Sequence, residues 1–202
     1  ELARQFSLVS DEVPQAELSR LRQTLDGFRG LPAPVVATIR AVPKDVPLMD
    51  VLRTAVSMAG HFDPTRGSSV DDLRKRSLWL LAVVADIVAA RFRLKNGKEP
   101  VAAKPGLSHA AQLLYMAHGT DPDPLAVRLL DLTLVLYAEH EFNASTFTDR
   151  VIASTASDMV SAMVGAIGAL KGPLHGGANE QSMQLISRFK SAEEASKWVK
   201  DA

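Results

Sequence analysis

Along almost the whole chain, apolar residues recur at three- and four-residue spacing, and Pro or Gly cuts the pattern into pieces. Alternating runs of β-branched residues are nearly absent, and aromatic residues make up only 5%. A chain with that period folds into helices and leaves little for a sheet. Leu18, Leu21, Leu25 and Phe28 share one helix face that ends near Gly30. A short piece from Ala33 to Ala41 stops before Pro43. Leu48, Val51, Leu52, Ala55 and Ala59 form the next stripe, with Gly60 expected as its terminator. After a turn-rich stretch from His61 to Asp71, a long helix is expected from Asp72 to about Leu94. Its middle, Leu78 to Ala85, is apolar all round and reads as buried on most sides.

Further on, Ser108 can cap a short helix stopped by Gly119. Asp123-Pro124 is an N-cap followed by a first-turn proline, and it opens an apolar helix to about His140. Leu129, Leu132, Val135 and Leu136 are its expected core stripe. One helix is expected from about Ser145 to Leu170, broken by Lys171-Gly172-Pro173. Another starts near Gly176, and the capping-box spacing of Ser191 and Glu194 begins the last, through Trp198. Eight to ten helices and no strand make the expected fold class all-α. The 202 residues, 47% hydrophobic, are enough for one core and one domain, or most of one.

Composition excludes several functions. There are 23 basic and 23 acidic residues, so no net positive charge points to nucleic acid. The absence of cysteine removes thiol nucleophiles, iron–sulfur clusters and cysteine-based zinc sites. The longest uncharged segment, Met159 to Leu170, has 12 residues, short of the roughly 18–20 a membrane span needs. Its Ala, Gly and Ser content reads as a helix packed closely on another. The chain starts without methionine, a basic region or an apolar signal core. Neither metal spacing among the five histidines nor a P-loop, GxGxxG or GxSxG motif is present. No metal site is expected.

Two segments can carry chemistry. In 171–180, Gly172-Pro173 ends one helix and Gly176-Gly177 lets backbone approach a ligand. His175 falls where the next helix begins, and the positive helix end keeps an imidazole neutral there. A neutral imidazole can donate a hydrogen bond to a carbonyl oxygen and stabilise an enolate, as the known case of triosephosphate isomerase illustrates. On spacing alone, an interhelix loop with an incidental histidine is the favoured reading of the segment. The second segment, 137–147, gathers Glu139, His140, Glu141, Asn143, Ser145 and Thr146 at the end of an apolar helix. Such a cluster needs partners or a ligand. Helix capping by His140, Asn143 or Ser145 is the alternative. His61, His109 and His118 read as structural.

Together, HEFNAST at 140–146 and GPLHGGANE at 172–180, joined by a small-residue helix, resemble the citrate synthase family. Residues 47–56, 107–111 and 114–116 resemble it too, so the likeness runs from about residue 16 to 202. The resemblance implies an all-α homodimer with a large helical domain and a small domain that closes over the substrates. It implies condensation of acetyl-CoA with oxaloacetate and hydrolysis of citryl-CoA. No metal or redox cofactor is implied, acetyl-CoA being a substrate. By this resemblance His175 is the catalytic histidine that hydrogen-bonds the thioester carbonyl. His140 binds oxaloacetate and polarises its ketone, Asn143 supports that site and Asn179 orders the loop. The partners implied are oxaloacetate, acyl-CoA and a second copy of the chain, with no nucleic acid and no membrane. The cytoplasm is the default location.

The family also uses a second histidine in a GFGH-type segment and an aspartate base, both beyond the GPLHGG motif. Only 27 residues follow His175 here, and they contain no histidine. Asp201, the one aspartate among them, lacks the family context. The expectation is therefore a large-domain fragment over 1–202 without the small domain and the C-terminal helices, inactive alone. A 2-methylcitrate synthase using propionyl-CoA, or a non-catalytic dimerisation module, are the alternative readings.

Overall fold

A computed structural model describes residues 14–139 and 141–201, with the side chain of Asn179 outside the description. His140 lies outside the described residues. Ten helices and no strand are found among the described residues: α1 Gln15–Phe28, α2 Ala33–Ala41, α3 Leu48–Gly60, α4 Val70–Lys95, α5 His109–His118, α6 Pro124–Leu136, α7 Ala144–Ser154, α8 Met159–Leu170, α9 Gly177–Ile186 and α10 Ala192–Asp201. The all-α expectation holds.

The 26-residue α4 is the hub, about 39 Å long at 1.5 Å per residue, and α1, α2, α3, α5 and α8 all pack on it. It starts earlier than the apolar period suggests. Ser69 forms a full capping box with Asp72, accepting from Asp72 N while the Asp72 carboxylate takes the Ser69 N–H. Trp79, Leu80, Val83, Ile87 and Ala90 of α4 meet Val35 and Ile39 of α2, Val51, Leu52, Ala55, Val56 and Ala59 of α3, and Val160 and Ile167 of α8 in one core. Leu48, expected in the α3 stripe, is 42% exposed. Leu81 breaks the expected all-round burial, being 47% exposed.

Gly60 is no left-handed terminator. Its successor His61 caps α3 with right-handed geometry (φ −68°), and a Cβ on Gly60 would stand 2.7 Å from Val160 Cγ1. Close approach of α8, not chain reversal, requires glycine there. Gly119, with φ +79°, does end α5 in the left-handed conformation.

Two more expectations fail. The segment 145–170 is two helices, not one. Ala156 has φ +61° and Asp158 caps α8 by accepting from Ser161 N at 3.0 Å. A short polar turn thus overrides helix propensity, and α7 and α8 fold back on each other as a hairpin. In α6, which ends at Leu136, no residue is buried. Leu129, Leu132, Val135 and Leu136 are 54–63% exposed. The stripe exists, but α6 packs mainly onto α5, and among the described residues its apolar face is left uncovered.

One buried polar cluster ties three elements together. Arg29, just after α1, donates from Nη1 to Asp86 Oδ1 of α4 at 2.9 Å, and Gly30 N–H donates to Asp86 Oδ2 at 2.7 Å. Arg29 Nη2 lies 3.0 Å from His109 Nδ1 at the start of α5. The Arg29 and Asp86 side chains are 2% and 4% exposed. Burial pushes the Asp86 carboxyl above its ordinary value, against the pull of Gly30 N–H and Arg29. It lowers His109, and the Arg29 cation adds to that, opposed by Asp131. A neutral His109 with its proton on Nε2 can accept the Arg29 bond.

Candidate active site

The α7–α8 hairpin brings the start of α7 and the end of α8 to the same place, which is where the two sequence motifs lie. Asn143 is the N-cap of α7: its Oδ1 accepts from Thr146 N at 2.9 Å and from Ser145 Oγ at 2.7 Å. Gly165 faces Ile152 and Thr148 across the hairpin, and a Cβ there would fall 2.2 Å from Ile152 Cδ1. The small-residue character of α8 is used for this close packing.

Beyond α8 the chain winds through a tight turn. Gly172 N–H donates to Ala169 O at 3.0 Å, His175 N–H to Gly172 O at 3.0 Å, and Gly176 N–H to Leu170 O at 3.0 Å. Gly176 has no room for a side chain, because a Cβ would stand 2.2 Å from the Leu170 carbonyl oxygen. Lys171 Nζ pairs with Asp50 Oδ1 of α3 at 2.6 Å and anchors the start of the turn. Leu174 is fully exposed, while the His175 beside it is half-buried.

His175 Nε2 is 2.9 Å from Ser145 Oγ and 3.4 Å from Ser145 N. His175, Ser145 and Asn143 therefore form one chain of contacts joining the two motifs. One hydroxyl proton serves two neighbours in it. With that proton on Asn143 Oδ1, Nε2 donates to Oγ and Nδ1 remains an acceptor. With the hydroxyl turned to Nε2, the ring proton sits on Nδ1 and can be donated to a carbonyl. The Ser145 N–H favours this second form, since it also offers a proton to Nε2.

The HEFN side carries backbone strain. Glu141 has φ +58°, and its N–H is taken by the Glu139 carboxylate. This kink leaves Phe142 70% exposed, with the Arg150 guanidinium 4.7 Å from its ring centre. On α7, Asp149 is half-buried and desolvation raises its carboxyl above the usual value.

Of the four site residues expected from sequence, the structure brings His175 and Asn143 into one network through Ser145. His140 and the Asn179 side chain lie outside the description. Asn143 does what the capping alternative foresaw. Ser145 is the residue that sequence reasoning missed as a partner of His175, and its first-turn position beside an Asn cap was the available signal. Lys171 and Asp50, 121 positions apart, gave no local signal. Among the described residues no group of three His, Asp or Glu side chains could hold a metal ion, and no helix is long and apolar enough to cross a membrane.

An all-helical chain whose HEFNAST and GPLHGGANE segments converge at one end of a helical hairpin falls in a narrow class. The family model described as "Citrate synthase, C-terminal domain" matches residues 3–202, and the chain belongs to the citrate synthase family. It is 42% identical over 196 residues to the citrate synthase of Deinococcus radiodurans, covering 96% of this chain and 52% of that protein. It is 41% identical over 204 residues to 2-methylcitrate synthase 2 of Corynebacterium glutamicum, covering 98% and 53%. Among solved structures, the ternary complex of Thermoplasma acidophilum citrate synthase with carboxymethyl coenzyme A and oxaloacetate matches with TM-score 0.85 and 27% identity, over 100% of this chain and 52% of that one. Citrate synthase from Thermotoga maritima matches with TM-score 0.78 and 33% identity, over 94% and 49%. The chain spans about half the length of the curated relatives it matches.

Proposed function

We propose that the protein carrying this chain condenses acetyl-CoA with oxaloacetate and hydrolyses the citryl thioester to citrate and CoA. The observation that supports this most is the His175–Ser145–Asn143 chain, which joins the two motifs at one point. In this reading the Ser145 hydroxyl turns to His175 Nε2, and Nδ1–H donates to the thioester carbonyl oxygen. The bond strengthens as that oxygen gains charge in the enolate, so it favours the transition state over the ground state. His140 binds oxaloacetate, Asn143 supports that site through its cap, and Asn179 orders the turn. The reaction needs no metal or redox cofactor. The base that removes the acetyl proton and the remaining substrate contacts come from sequence outside these 202 residues, so the chain alone is inactive.

The second reading, 2-methylcitrate synthesis from propionyl-CoA, is favoured by relatives of that name at 38–42% identity. One methylene separates the substrates, worth about 1–3 kcal/mol in a pocket. CoA release by the full-length protein, measured with each acyl-CoA and oxaloacetate, distinguishes the two. His175→Ala should abolish either activity, and an unaffected rate would overturn the reading.

The uncovered face of α6 supports a homodimer, with Leu129 and Leu132 facing a second copy. Leu129→Glu with Leu132→Glu should halve the sedimenting mass of the full-length protein. The cytoplasm remains the proposed location.

A further inference from the structure

We propose that the recess between the C-terminal ends of α2 and α4 binds a phosphate-bearing anion, held by Lys44 and Lys98 in front of a buried Arg91. The recess has a volume of about 240 Å³ and shares no residue with the His175 site. Its lining carries four cations, Arg40, Lys44, Arg91 and Lys98, against one carboxylate, Glu99. That carboxylate is already taken: Arg40 grips it with two bonds of 2.8 and 2.6 Å. The other three cations have no carboxylate partner among the described residues.

Arg91 is 3% exposed. Its Nη1 donates to Val42 O at 3.2 Å, and its Nη2 reaches Pro43 O at 2.7 Å, Val46 O at 3.0 Å and Lys44 O at 3.3 Å. Its Nε is buried with no acceptor. Four carbonyl dipoles, at the negative end of α2, satisfy donors and ease the charge without cancelling it. A mobile anion in the recess would supply the missing negative charge.

Two loops supply the front. The 42–46 loop is fixed by Arg91 and brings Lys44. The turn after α4 is fixed by Gly97 N–H on Leu94 O (3.1 Å) and Lys98 N–H on Arg93 O (2.9 Å), and it brings Lys98. Gly97 has φ +70°, and the nearest atom to a Cβ there would be Lys44 Nζ at 3.9 Å, so the ammonium overhangs the turn. Ile39, Val42 and Leu94 supply the apolar part of the lining. The volume is below the roughly 300–1,000 Å³ of pockets that enclose a drug-sized ligand. It fits a phosphate or diphosphate group, with the rest of any larger molecule outside.

The group could come from free diphosphate or from a nucleotide's phosphate tail. Calorimetric titration and thermal shift of the full chain with inorganic diphosphate and with a nucleoside triphosphate, each against KCl at matched ionic strength, test both. Wild type should bind diphosphate. Lys44→Gln with Lys98→Gln, both exposed and unpaired, should weaken it by about three- to thirtyfold, and Lys75→Gln on distant α4 surface should not. Loss of triphosphate binding in the same double variant assigns the phosphate tail as a second source. No binding above the KCl control, or equal affinity of wild type and the double variant for diphosphate, would overturn the proposal. Triphosphate binding that ignores both lysines, without diphosphate binding, overturns it too.

Discussion

Removing the Asp86 carboxylate should be among the most damaging single changes outside the active site. Arg29 and Asp86 are 2% and 4% exposed, so Asp86→Ala strands a buried guanidinium whose one other partner among the described residues is His109 Nδ1 at 3.0 Å. It also orphans Gly30 N–H, which now has a 2.7 Å bond to Asp86. Arg29 Nε is already buried without an acceptor, so little slack remains. Breaking one side of a buried pair costs about 3–5 kcal/mol. For a chain of this size that corresponds to a loss of about 6–20 °C in Tm. Asp86→Asn keeps an acceptor for Gly30 N–H and should cost less, about 1–3 kcal/mol. Replacing both partners, Arg29→Met with Asp86→Leu, removes charge and counter-charge together and should fall within about 1 kcal/mol of wild type or above it. Urea unfolding followed by far-ultraviolet circular dichroism at pH 7.5 measures all three. The reasoning is refuted if Asp86→Ala costs under about 1 kcal/mol, or if the double replacement is as damaging as the single one.

Three further outcomes are expected. Because burial and Arg29 hold His109 below its usual value of about 6.5, its neutral form stabilises the fold above that pH, and the contribution is lost as pH falls through the lowered folded value; His109→Asn should flatten the acid side of the stability–pH curve. In the full-length protein, Ser145→Ala removes the partner of His175 Nε2, and losing one hydrogen bond of about 1.5 kcal/mol should lower kcat roughly tenfold with little change in KM. Gly176→Ala forces a Cβ to 2.2 Å from Leu170 O, so the turn must move and kcat should fall by up to about a hundredfold, while the Tm changes little.

Much of the fold was legible because helix ends carry chemical signals. Ala33–Ala41, the Ser108 and Asp123 caps and the Gly119 stop all follow from capping chemistry and proline geometry. What sequence could not show was which partner a face meets. The α6 stripe is indistinguishable from a core stripe until its leucines are seen to stand exposed beside α5. Gly60 looks like a helix stop and Gly176 like a ligand-facing glycine until Val160 and the Leu170 carbonyl stand against them. The 155–158 break was missed because apolar spacing runs through it, although Asp158 with Ser161 marks a cap. At the site, the motifs located His175 and Asn143, and only the hairpin revealed Ser145 as the link.

The fit of Val160 against Gly60 has a consequence for how the chain is made. The core holds residues of α3 and α4 together with Val160 and Ile167, and α8 leaves the ribosome about a hundred residues after α3. α2 and α4 can cover part of α3 as they emerge, but at 5–20 residues per second the strip beside Gly60 that α8 covers stays open for roughly 5–20 s. During that interval the nascent chain shows the surface that chaperones hold, and any codon change that slows translation between 60 and 160 lengthens the exposure.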